Sequence, residues 1–365
     1  MKKLNSKALD YHAFPQPGKL SVSASKKFDT AEDLSLAYTP GVAEPVLEIV
    51  KDPKNAYRFT NKGNLVAVIT NGTAVLGLGN TGALASKPVM EGKGVLFKKF
   101  AGIDVYDIEI DCEDPDEFIQ TVVNISPTFG GINLEDIAAP ECFYIESELK
   151  KRLSIPVFHD DQHGTAVIVA AGLINALEIQ QKSMDQVKIV FLGAGAAGCS
   201  CARLLKLMGA TDITMVDSKG ILSNDRKNLN QYNQDLAIDT KGKTFNDAIQ
   251  HADVFIGVSG ANLLKDEHVK SMSKKPIIFA LANPDPEMLP SEAHAIRDDI
   301  VMATGRSDFD NQVNNVLGFP FLFKGALEAK AKQINNDMLI AAANALALLA
   351  KEPVPQSVLD AYDMG

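Results

Sequence analysis

The stretch VKIVFLGAGAAG at 187–198 restricts this chain more than any other. An apolar run ends abruptly in Gly193, Gly195 and Gly198, and CSCARLLKLM follows with no breaker until Gly209. A strand, a tight glycine turn and a helix bring backbone N–H groups and a helix N-terminus up to a pyrophosphate. The next apolar run, DITMVD, ends at Asp217, 24 residues after Gly193. That is near the offset of an acid that reads a ribose hydroxyl. Gly193, Ala194, Gly195, Ala196, Ala197, Gly198 and Asp217 are therefore assigned to a dinucleotide.

The alternation continues with FNDAIQHA as helix, DVFIGVSG as strand and KPIIFALANPDP as strand plus turn. Such a pattern implies right-handed parallel crossovers and a doubly wound sheet. Ahead of it, LVAVIT (65–70) and VYDIEID (105–111) read as strands, and DPDEFIQTVVNIS as a helix opened by acids. The expected fold class is α/β. A first domain is expected over 1–157 and a doubly wound Rossmann-type domain with C-terminal helices over 158–365. A second G-x-G-x-x-G, at Gly77, Gly79 and Gly82, follows an Asn-Gly turn, and the strand after it carries several acids rather than one at its end. It reads as a close-packed glycine turn, not a nucleotide site.

With 46 acidic and 36 basic side chains the net charge is −10. This argues against nucleic acid or an anionic membrane as a partner. Cys112, Cys142, Cys199 and Cys201 show no zinc-type spacing and are too few to staple 365 residues. The N-terminus lacks the apolar core of a signal peptide, so a reducing cytoplasm is expected. The longest apolar run, Thr165 to Ile179, is too short to span a bilayer.

The stretch FHDDQHGTA (158–166) sets two carboxylates and two imidazoles between the run SIPVF and that long apolar segment. Loops at strand ends are where α/β proteins hold their chemistry. A second acidic pair, Glu135-Asp136, runs into Ile137-Ala138-Ala139-Pro140, and acids flanked by apolar residues need partners if buried. Three carboxylates and a few waters would complete a six-coordinate site for Mg²⁺ or Mn²⁺. Lys93, between Gly92 and Gly94, is either poised for chemistry or a surface lysine in a turn. Tyr38 is placed at a strand or turn edge by the proline after Thr39, and read alone it is an amphipathic core tyrosine.

Taken in order, YTPGVAEP around Tyr38, VLGLGNTG, EGKGVLF around Lys93, AGID at 101–104, NLEDIAAPECF at 133–143, FHDDQHGTA, FLGAGAAG, ALANPDP and NNVLGFP resemble the malic enzyme family, the short bacterial form most closely. The resemblance implies an N-terminal malic enzyme catalytic domain followed by an NAD(P)-binding Rossmann domain. It implies oxidative decarboxylation of L-malate to pyruvate and CO₂ with NAD or NADP and Mg²⁺ or Mn²⁺, in a homodimer. It also implies Tyr38 as general acid, Lys93 as general base, and Glu135, Asp136 and Asp161 as metal ligands. Asn283 and one of Asn314 and Asn315 would lie near substrate and nicotinamide.

A lysine ordinarily keeps its proton to about pH 10.4, so as a base Lys93 would need burial near a cation. Larger family members carry an arginine for the substrate carboxylate where this chain has Ala74, so some other group must hold it. NAD and NADP both stay open: Asp217 would repel a 2′-phosphate, whereas Lys219, Arg226 and Lys227 could embrace one. The competing readings are a metal-independent 2-hydroxy-acid or amino-acid dehydrogenase, which leaves the three acids unexplained, and a dinucleotide sensor, which needs no poised lysine.

Overall fold

The computed structural model describes residues 2–75 and 77–361. The chain divides into two units. One comprises Met1–Ile137, Tyr144–Phe158 and Phe323–Ile334; the other comprises Ala138–Phe143, His159–Leu322 and Asn335–Gly365.

The first unit is built on β1 (Leu65–Thr70), β2 (Asp104–Glu109), β3 (Gly131–Leu134) and β4 (Val157–His159), in the order β2-β1-β3-β4. The sequence LVAVIT is apolar for five residues, and all six are buried, as expected of a central strand covered on both faces. It pairs in parallel with β2 on one side and β3 on the other. Helix Ala83–Ala101 packs against β1 and β2, and its residue Phe97 meets Phe323 edge to face. Gly131 at the start of β3 leaves the space that Phe323 occupies, since a Cβ there would lie 3.0 Å from its ring. The second glycine set forms a turn with Gly77, Gly79 and Gly82 all at positive φ, but the close packing expected of it is corrected: a Cβ on Gly79 or Gly82 would meet nothing within 4 Å, and the crowded position is Gly72. Thr81 and Gly82 both donate to the Gly72 carbonyl, and a Cβ on Gly72 would collide with Gly82.

The second unit carries β5 (Lys188–Leu192), β6 (Asp212–Asp217), β7 (Gly220–Ile221), β8 (Val254–Gly257), β9 (Ile277–Ala280) and β10 (Val301–Thr304). Their order is β10-β9-β8-β5-β6-β7. All recorded pairings are parallel except the short hairpin of β6 with β7. The chain moves outward from β5 in one direction to β6 and in the other to β8, so the order reverses between β5 and β8. In doubly wound sheets that reversal opens the ligand crevice. Helix Thr165–Gln180 is apolar nearly all round and packs on helices Ala196–Leu207 and Asn336–Leu349. No helix among the described residues is long and apolar enough to cross a membrane.

Candidate active site

In the first unit a buried polar cluster begins where β3 ends. Glu135 continues the ladder by donating its N–H to Ile69, and Asp136 then turns the chain with φ 52°, its carbonyl accepting from Ala74. The Glu135 carboxylate is gripped from two sides. Lys93 Nζ lies 2.9 Å from Oε1, and Asn133 Nδ2 donates to Oε2 at 2.9 Å. Asn133 and Glu135 share a face because strand side chains alternate. Lys93 is only 8% exposed and Glu135 4%, so this is a buried ion pair.

The reading of Lys93 as a surface lysine in a turn is corrected here. Helix Ala83–Ala101 runs through Gly92 and Gly94, and Met90, Lys93, Gly94 and Phe97 form its buried stripe. Gly94 is a packing residue: a Cβ there would lie 2.6 Å from Leu20 and 3.3 Å from Val105. Tyr38 caps the C-terminus of helix Ala31–Ala37 and is 65% exposed, so the alternative of a core tyrosine does not hold.

In the second unit β5 delivers the glycine loop. A Cβ on Gly193 would come 2.7 Å from the Val258 carbonyl, and one on Gly198 would strike Gly193 itself. Gly195, by contrast, faces open space at the start of helix Ala196–Leu207. Two glycines thus permit tight packing and the third leaves a free approach to helix N–H groups, a cradle suited to a pyrophosphate. Ala194, Ala196 and Ala197 complete the turn, and the Ala194 carbonyl accepts from Cys199 and Asn233. Burial pushes the Cys199 thiol up to about 11, so it is no nucleophile at neutral pH.

Asp217 ends β6 but is not a bare acid. Arg226 donates to both its oxygens, at 2.9 and 2.8 Å, and the Lys219 N–H donates at 2.8 Å. Burial pushes the carboxyl up, and these donors outweigh it, holding Asp217 below the usual carboxylate range. Arg226 is therefore committed to Asp217 instead of standing free for a phosphate.

Asp161 lies in the π-helical turn Asp160–Gly164 beyond β4, with His159 Nδ1 3.7 Å from its Oδ2. Asn283 follows β9 on the surface and donates to the Leu281 carbonyl. Of the two adjacent asparagines, Asn314 caps Val316 and donates to Gly305, whereas Asn315 Nδ2 reaches Asp160 at 2.6 Å. Asn315 is thus the one directed at the acidic turn.

Comparison with known proteins fits both halves. Residues 17–150 match the malic enzyme N-terminal domain, and residues 162–360 match the malic enzyme NAD binding domain. The chain belongs to the malic enzyme family. An NADP-dependent malic enzyme of Halomonas elongata is 60% identical over 358 residues, covering 98% of this chain and 85% of the relative. An NADP-dependent malic enzyme of Escherichia coli is 56% identical over 363 residues, 98% of this chain, and the chain spans 48% of that relative's length. The crystal structure of an NAD-dependent malic enzyme from Thermotoga maritima superposes with TM-score 0.91 at 45% identity, covering 95% of this chain and 93% of the other. Within this malic enzyme fold, Asn133 and Asp160 are polar partners, of Glu135 and of Asn315, to which the sequence motifs give no role. The signal for Asn133 was one polar residue in the buried strand GINL.

Proposed function

We propose that this chain converts L-malate to pyruvate and CO₂, with NAD(P)⁺ as hydride acceptor and Mg²⁺ or Mn²⁺ held by Glu135, Asp136 and Asp161. The observation that carries this reading is the buried Lys93–Glu135 pair, a potential base in contact with a potential metal ligand. The donor set fits a hard divalent ion, since all three side chains are carboxylates and Glu135 and Asp136 are buried. Neighbouring strands of one sheet deliver them: Glu135 and Asp136 leave β3, and Asp161 stands two residues beyond β4. The cradle over Gly195 fits the dinucleotide.

When bound, NAD(P)⁺ supplies the acceptor for the C2 hydride, and the cation supplies positive charge beside the substrate oxygens. Glu135, Asp136 and Asp161 would hold the cation, which would draw on the carboxylate that Lys93 pairs with and so favour the neutral amine that a base needs. Lys93 then takes the C2 hydroxyl proton. Tyr38 returns a proton to C3 once CO₂ has left. Asn315 orients the acidic turn through Asp160, and Asn283 serves the nicotinamide and substrate side. Because Arg226 neutralises Asp217, the end of β6 does not present an unscreened charge to a 2′-phosphate, and NADP is accommodated as well as NAD.

The chain works as a homodimer. Ala43, Val46, Leu47 and Val50 fall at one-face helical spacing in Ala43–Lys51, yet that helix buries none of its residues. A second copy covers this face, and sedimentation showing only monomer at micromolar concentration would remove the idea. Four free thiols suit a reducing cytoplasm.

The test of function is pyruvate release from L-malate with Mn²⁺ and either NAD⁺ or NADP⁺. Release with at least one dinucleotide, abolished by EDTA, is expected. No pyruvate with either overturns the reading, and dinucleotide reduction that survives EDTA favours a metal-independent dehydrogenase.

A further inference from the structure

Glu287 is fully buried, yet no Lys or Arg forms an ion pair with it among the described residues. Its two carboxylate oxygens take backbone donors from two different loops. Oε1 accepts from the Ser259 N–H at 3.0 Å, just beyond β8, and Oε2 accepts from the Ala282 N–H at 3.1 Å, just beyond β9. The backbone of the same segment repeats the link: Asn262 donates to Pro286 and Leu264 to Glu287, each at 3.1 Å. Gly257, the last residue of β8, makes room, because a Cβ there would lie 2.6 Å from Oε1. Burial pushes the Glu287 carboxyl up and the two N–H groups oppose it.

Both loops lead to the dinucleotide end of the sheet. Val258, next to Ser259, is the wall against which Gly193 and Gly198 close, and its N–H bonds to Leu192 at the end of β5. Ala282 directly precedes Asn283. We propose that Glu287 is a positioning residue that sets the loops after β8 and β9 in register around the nucleotide, holding the Val258 wall with one oxygen and the Asn283 segment with the other. This rests on the reading of the glycine loop as a dinucleotide site. A carboxylate is favoured because the partners are all donors: the two N–H groups, and the Ser259 hydroxyl 3.5 Å from Oε1. A glutamine could accept only one of them and would turn its own NH₂ toward the other.

The test is Glu287→Gln, with dissociation constants for NAD⁺, NADP⁺ and Mn²⁺ measured by calorimetry on the full chain. One buried donor left unmet corresponds to weakening of about tenfold or more. Dinucleotide affinity is expected to fall by that factor, while Mn²⁺ affinity stays within about twofold, since Glu287 touches none of the three carboxylates assigned to the metal. A general loss of structure would lower both. Gly257→Ala is the second variant: it keeps the carboxylate but displaces it, and is expected to weaken dinucleotide and spare Mn²⁺ in the same way. Parental dinucleotide affinity in folded Glu287→Gln overturns the proposal, as does parental affinity in Gly257→Ala if the first variant does not fold. Parallel loss of Mn²⁺ affinity also overturns it. If the parent chain itself binds neither dinucleotide, the site reading has failed instead.

Discussion

Replacing Lys93 tests the centre of the proposed site in two ways at once. The Lys93–Glu135 pair is 2.9 Å long, and its side chains are 9% and 5% exposed, so solvent screening is slight. Breaking a buried pair by removing one partner costs about 3–5 kcal/mol, because the remaining charge is left in a poor dielectric. In Lys93→Ala without metal, Glu135 loses the ammonium beside it while the Asn133 amide still donates to it, and a cost of that size is expected. At about 2–4 °C per kcal/mol for a unit of 150–250 residues, melting should fall by roughly 6–20 °C in EDTA. Mn²⁺ no longer competes with an ammonium in the variant, so added Mn²⁺ should raise its melting temperature by more than it raises the parent's. Turnover should drop by about 10²–10⁴, the range for losing a general base. Lys93→Arg separates the effects. It keeps a cation beside Glu135 but cannot give up its proton, so stability should recover while turnover stays low. Parental turnover in Lys93→Ala removes the base assignment, and equal melting of parent and variant in EDTA refutes the electrostatic argument.

Two further outcomes are expected. Asp161→Asn replaces a charged oxygen ligand by a neutral one, and should raise the Mn²⁺ concentration needed for half-maximal turnover by about tenfold or more; an unchanged metal dependence excludes Asp161 as a ligand. His268 should make stability sensitive to acid: its Nδ1 accepts from the Lys265 N–H at 3.0 Å, its Nε2 bonds to Asn246, and burial pushes its pKa below the ordinary 6.5. The unfolded chain therefore binds that proton more readily, so the stability His268 contributes is complete above about pH 6.5 and is lost as pH falls below it. Denaturation midpoints compared between parent and His268→Gln from pH 7.5 to 5 should converge toward acid, and parallel curves would exclude the effect.

The strands were legible because their signal is local. LVAVIT and DITMVD are strands at the residues where the apolar runs begin and end, and the parallel order around β5 follows from the alternation of strand and helix. The glycine loop was legible for the same reason, since Gly193 and Gly198 answer contacts within one strand-turn-helix unit or with Val258 beyond the neighbouring strand, while Gly195 stays open. The window around Lys93 leaves two readings open because glycines on either side suggest a turn. Only the four-residue stripe Met90, Lys93, Gly94 and Phe97 shows that the glycines lie inside a helix and that one of them thins it for Leu20 and Val105. Tyr38 was half legible: Pro40 kept it out of a helix interior, but nothing nearby indicated that its ring would stand in solvent in a single chain.

What stayed hidden has one physical cause. A polar residue just past a strand looks the same in sequence whether water or another loop meets it, and the difference is decided by a small residue elsewhere. Glu287 sits in a turn-like NPDPE that resembles a solvated acidic loop, yet Gly257, thirty positions earlier, leaves the space into which its carboxylate folds. Asp160 is held in the same manner, because any Cβ on Gly164 would run into its carboxylate, and only then can Asn315, 155 residues later, reach it at 2.6 Å. Strand ends expose N–H and C=O groups that the ladder no longer pairs, so an acid that folds back is stabilised wherever a glycine admits it. The carboxylates assigned to the site therefore gather at strand ends. There the apolar pattern stops dictating the fold, and a missing Cβ decides which carboxylate is buried.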